Sequence, residues 1–143
     1  MSHQQLFMSF QQGEIIPFAF DTLVSVLESH RCTVSSREND GHTVSFPMDG
    51  KDFRIGDYGS IAIDDDAAVE FGVERPRYQP EFYALALDLV TKLDLCMVIS
   101  SGNEVFVSRK ELVAELPESL ADVASVVDGI EGFSSSSRGP LTA

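Results

Sequence analysis

The sequence predicts an α+β fold, an antiparallel β-sheet with two to three helices packed on one face. Three observations predict it. Short Gly-containing turns separate β-like runs, at Asn39-Asp40-Gly41, Asp49-Gly50 and Ser101-Gly102-Asn103. Apolar residues recur at helical spacing in two places, Phe20, Leu23, Val24 and Leu27, then Phe82, Leu85, Leu89 and Leu93. Turns this short join antiparallel strands, because parallel pairs need long crossovers.

Each element follows in order. Leu6, Met8 and Phe10 alternate with Phe7, Ser9 and Gln11, the pattern of a short first strand or an arm. Pro17 precedes a helix over 18–29, where proline is tolerated in the first turn. CTVSS and HTVSFPM form a hairpin. A second turn at Asp49-Gly50 leads to FRIGDYGSIAI, where Gly56 and Gly59 predict a bulge or sharp bend. AAVEFGVE places Val69, Phe71 and Val73 on one face and Glu70 and Glu74 on the other. Pro76 and Pro80 end that sheet segment. A strongly apolar helix runs over 82–93. LCMVIS and EVFVS make another hairpin, and a helix or turn covers 111–116. The stretch 124–133 reads as either helix or last strand. Residues 1–133 form one domain, and the Ser/Gly/Pro-rich 134–143 reads as a flexible tail.

The chain has 143 residues, 10 Lys and Arg against 23 Asp and Glu, and a net charge of −13. Phosphates would repel it, so nucleic acid and anionic membranes are excluded as partners. A protein with a basic surface is the natural complement. The two cysteines, Cys32 and Cys96, lie far apart in apolar runs. They read as buried reduced thiols rather than a disulfide or a CxxC site. No run reaches the ~18 apolar residues of a membrane span. The N-terminus has no basic region followed by an apolar stretch. A cytoplasmic location is expected.

No catalytic signature stands out, so neither an enzyme nor a cofactor is expected. GxGxxG, GxxxxGK[ST], GxSxG and HExxH are all missing. Asp64, Asp65 and Asp66 are consecutive, and neighbouring side chains in an extended segment point apart. They do not match the spacing of a calcium loop and read as a solvated turn open to a partner. His30, Cys32 and His42 sketch a zinc site or a Cys/His dyad. The set lacks a fourth ligand, the paired spacing, and an Asn or Asp to orient a base. Arg75 and Arg77 are expected to pair with Glu74 or Glu81, or to rim a contact surface.

The stretch VERPRYQPEFYALALDLVTKLDLCMVISSGNEVFVSRKELVAELPESL resembles small bacterial immunity proteins. These neutralise a secreted toxin such as one delivered by a type VI secretion apparatus. The likeness covers about a third of the chain: a strand ending in Arg-Pro, a helix opened by an aromatic pair, a hydrophobic strand and its return, then Leu116-Pro117-Glu118. Phe82 and Tyr83 stand where relatives carry tryptophan. The resemblance implies a toxin inhibitor that occludes an active site and does no chemistry. With the charge, it makes the turn Asp64–Asp66, with Asp57 and the aromatic anchor Tyr58, the candidate partner-binding residues. A second resemblance, in element order, is to type III secretion chaperones. It implies a dimer that holds an unfolded effector segment.

Overall fold

The computed structural model describes residues 4–36, 41–98, 104–127, 129 and 133. It has α+β architecture with one large, mostly antiparallel sheet. The strands are β1 (Gln4–Gln11), β2 (Glu14–Ile16), β3 (Thr33–Ser36), β4 (Gly41–Ser45), β5 (Met48–Asp49), β6 (Asp52–Phe53), β7 (Tyr58–Asp64), β8 (Ala67–Glu74), β9 (Cys96–Val98), β10 (Val105–Val107) and β11 (Ala124–Val126). The helices are α1 (Phe20–Ser29), α2 (Pro80–Lys92), a 3-10 helix (Lys110–Glu115) and α3 (Glu118–Ala121). In space the sheet runs β11-β10-β9-β1-β8-β7-β4-β3, with β2 on the end of β1 and β5–β6 a separate hairpin.

The first strand therefore sits in the middle. β1 lies between β8 and β9 and is antiparallel to both. On the inner face one register row reads Phe106, Met97, Phe7, Phe71, Ile61 and His42. Phe7 and Phe71 stack with ring centroids 5.7 Å apart, and neither has any exposed surface. Leu23, Val26 and Leu27 of α1 and Phe82, Leu85, Leu89 and Val90 of α2 close over this row. Phe133 joins them, edge-on to the Phe106 ring at 5.1 Å.

The helices divide between the two faces. β1, β9 and β10 are apolar on both sides, and a strand that is apolar on both sides must be covered on both. Met8, Phe10, Cys96, Val105 and Val107 form a second cluster on the outer face. The 3-10 helix and α3 cover it with Leu112, Val113, Leu120 and Ala121. So the two long helices lie on one face, and the short C-terminal ones on the other.

Several expectations are refined. The α1 and α2 spans begin two residues away from the predicted starts, with Pro80 at the first turn of α2. The stretch 124–133 begins as a strand, and β11 runs parallel to β10, the exception to antiparallel pairing. The α3 turn between them supplies the reversal. The bulge is at Val69, where the register slips beside Ala62 and Ile63. Gly56 lies in the bend before β7, and Gly59 is inside a regular ladder. A Cβ on Gly59 would stand 2.9 Å from the Phe71 ring and 3.0 Å from Phe46, so this glycine answers to close packing. The predicted turns at 39–40 and 99–103 and the tail at 134–143 lie outside the described residues.

The β7–β8 connection is a two-residue hairpin turn with Asp65 at φ 50° and Asp66 at φ 65°. Two successive left-handed residues make a type I′ turn, which favours Asn-Gly. Aspartate there carries a conformational cost of about 1 kcal/mol. Asp66→Gly is expected to raise unfolding stability by about 0.5–1 kcal/mol, measured by urea denaturation with an unchanged m-value.

Candidate functional site

β7 carries every residue that the sequence marked for partner contact, or borders it. Tyr58 opens the strand and Asp64 closes it. Six residue steps of about 3.3 Å put the two ends ~20 Å apart. Asp57 and Tyr58 therefore lie together at one end, and Asp64, Asp65 and Asp66 lie together at the other. All three aspartates of the turn are exposed. Tyr58 is 49% exposed.

The Asp57 end is built by cross-links between loops. Asp57 N–H donates to the Glu74 carbonyl at 2.9 Å, and Arg77 N–H donates to the Ile55 carbonyl at 2.8 Å. The Asp57 carboxylate accepts from Arg77 Nη2 at 3.1 Å and from Arg75 Nη1 at 3.4 Å. Arg54 Nη2 donates to Glu81 Oε2 at 2.9 Å. The arginines thus choose Asp57 rather than Glu74 or Glu81. The reason is position: Glu74 points to the outer face beside Tyr58, whereas Asp57 follows the bend at the level of Arg75 and Arg77. Asp57 is consequently a structural anchor already engaged by two cations.

Two clefts flank Arg54. One, of 330 Å³, lies under the β5–β6 hairpin and is bordered by Asp49, Asp52, Arg77 and Glu81. The other, of 270 Å³, lies between the end of α1 and the start of α2, beside His30, Arg31 and Ile55. The Nε atoms of Arg54 and Arg77 are buried without an acceptor among the described residues. Two ion pairs stand beside the clefts, Arg54 with Glu81 and Arg77 with Asp57, while Asp49, Asp52 and Arg31 have no such partner among the described residues. The Glu81 carboxyl is held below the usual carboxylate range by its own backbone N–H and by the Arg54 hydrogen bond and charge, with burial opposing.

The histidine and cysteine candidates are not brought together. His30 Nε2 meets Asp88 Oδ2 at 2.7 Å, and Lys92 Nζ lies 3.7 Å from the other oxygen of Asp88. The His42 ring packs on Phe20 with centroids 4.7 Å apart. Cys32 is buried near the His30 carbonyl. Burial pushes its thiol up to about 12. Burial, with the nearby Asp94 charge, does the same for Cys96. Both thiols stay protonated at neutral pH and are poor nucleophiles. Among the described residues no group of three His, Cys, Asp or Glu is placed to hold a metal ion. Ser29 Oγ donates to the Val26 carbonyl at 2.6 Å and points to no base.

The sequence did not single out the surface that lies between the two ends of β7. On the outer face, the register row from β1 to β3 reads Leu6, Gly72, Ser60, Thr43 and Ser35. The rows beside it read Gln4, Glu74, Tyr58 and Glu70, Ala62, Gly41. Apolar residues stop at β1, and the cover of short helices stops with them. Alternation in AAVEFGVE had placed Glu70 and Glu74 opposite Phe71. Which half of a face a distant helix covers is not written in a local pattern.

Compared with known proteins, the chain matches no family model, no curated protein and no solved structure.

Glu81 gives a test with a definite sign. Its folded-state pKa is lowered, so its contribution is present above the unfolded value near 4.3 and disappears as pH falls through the lower folded value. Glu81→Gln is expected to lose less than about 1 kcal/mol at pH 7, because the pair is about one-third exposed. It should also flatten the acid limb of the stability curve below about pH 4, read by thermal unfolding across pH.

Proposed function

We propose that this chain is a cytoplasmic immunity protein that binds a basic, folded toxin and occludes its active site, performing no chemistry itself. The observation that carries this reading is the partition of charge. Arg54, Arg75, Arg77, Lys92 and Arg109 are each tied to a carboxylate of the same chain. The net charge of −13 comes from 23 acids against 10 bases; among the described residues the acids without an ion pair include the Asp64–Asp66 turn, Glu70 and Glu74, and the cations without one are Arg31, Lys51 and Lys110. A field of this kind steers a basic partner and repels nucleic acid, which a toxin acting on phosphates would have a groove to bind. An inhibitor can occupy such a groove with carboxylates.

Two further observations support it. The protonated thiols, and a His30–Asp88 pair whose neighbour Ser29 is turned to the Val26 carbonyl, give little to build catalysis on. No helix of the described residues is long and apolar enough to cross a membrane. The toxin would be of the kind delivered by a type VI secretion apparatus, following the resemblance of residues 73–120.

Co-expression tests the reading. Tagged chain is captured from cells that make it, its partner is identified, and that partner is expressed alone and with this chain. The expected result is a 1:1 complex with a basic folded protein that arrests growth alone and not in company. A 2:1 complex with an unfolded segment would turn the assignment to a secretion chaperone. A partner with no toxicity would contradict it.

A further inference from the structure

Among the described residues, no element covers the outer face of β8, β7, β4 and β3, while the same face over β1, β9 and β10 is closed by the 3-10 helix and α3. We propose that this platform is the docking surface for the basic folded partner, and that the Asp64–Asp66 end of β7 is its acidic rim. The inference rests on the immunity reading and deepens it by locating the contact.

The platform's residue types fit that use. Its middle row is small and uncharged, with Ser60 and Thr43 in register beside Gly72, which is itself buried under the Gln4 and Leu6 side chains. Small residues lose little side-chain entropy when covered and let a partner surface come close. Its charged residues stand at the ends. Glu70 and the Asp64–Asp66 turn lie at one end, and Glu74 lies beside the exposed Tyr58 ring at the other. Glu70 and Glu74 make no ion pair among the described residues. β3, β4, β7 and β8 contain neither lysine nor arginine. The Glu70 and Asp64–Asp66 end is complementary to a patch of lysines and arginines, while at the Tyr58 end Arg75 and Arg77 stand against Asp57 and Glu74.

Other occupants fit less well. A second copy placed face to face would set Glu70, Glu74 and Asp64–Asp66 against the same carboxylates. An extended segment would add at the open edge of β3, because backbone groups inside the platform are already paired with neighbouring strands.

Amide hydrogen exchange on the captured 1:1 complex tests the inference, with the free chain as reference. Protection is expected at 42–45, 58–66 and 70–74. Ala62→Arg and Ser60→Arg each add one charge in mid-platform and should weaken binding at least 100-fold. Thr22→Arg adds the same charge on the exposed side of α1 and should change binding less than threefold. Ala62 is exposed, so its variant keeps the fold if Ser60→Arg does not. Protection confined to the clefts beside Arg54 or to the edge of β3, or equal weakening by Thr22→Arg, would overturn the platform and leave the immunity reading standing. Failure to recover any basic folded partner would overturn both.

Discussion

The Phe7–Phe71 stack joins β1 to β8 at the centre of the sheet, and the rest of the molecule is arranged around that contact. A chain whose first strand must end up between β8, at Ala67–Glu74, and β9, at Cys96–Val98, cannot complete its core until both of those later strands are present. Burying each of these rings is worth about 2–3 kcal/mol, and their stacking adds of the order of 1 kcal/mol. To one side of β1, the strands β9 and β10 are apolar on both faces and demand cover on both. To the other side, β8, β7 and β4 turn one apolar face inward and a small polar face outward. The boundary between covered and uncovered sheet is thus set residue by residue, at the step from Leu6 to Gly72 and Ser60.

That boundary also organises the charge. Among the described residues no helix covers the outer face of β8, β7, β4 and β3, and these strands hold no lysine or arginine beside Glu70, Glu74 or the Asp64–Asp66 turn. The arginines are gathered instead around Asp57 and Glu81, where they tie the loop before β7 to the loop after β8 and the start of α2. Isolated surface pairs contribute little to stability. Asp65 and Asp66 hold left-handed backbone in a turn that Asn-Gly would form at lower cost, so carboxylates stand there despite the conformational preference.

Much of this was legible in the sequence. Helical spacing in Phe20–Leu27 and Phe82–Leu93 found both long helices, and the Asp49-Gly50 and Ser101–Asn103 signals separated strands that do pair. The central place of β1 was not legible, because alternation in Leu6–Gln11 shows a strand and says nothing of its neighbours. Continuous apolar runs such as Val105-Phe106-Val107 did carry the sign of two-sided burial, and that sign predicts cover on a second face. Gly59 read as a bulge because a glycine in a strand has two meanings, and only the Phe71 and Phe46 rings above it choose close packing. Asp57 read as a candidate partner-binding residue, and its engagement was hidden because its two arginines follow 18 and 20 residues later across the sheet. The aspartate turn and Tyr58 were recognised as exposed. The surface joining them is a property of register, which no local window contains.

The most direct measurement of the central claim, that an unpaired acidic field on an open sheet face captures a basic protein, is the association rate constant with the captured partner as a function of salt. The predicted result is a rate well above the ~10⁶ M⁻¹s⁻¹ of neutral encounters at low ionic strength, falling at least tenfold as salt rises toward 0.5 M, roughly the range over which screening closes to a few ångströms. A rate constant that stays flat across that range would contradict the claim, because the carboxylates would then play no part in bringing the partner in.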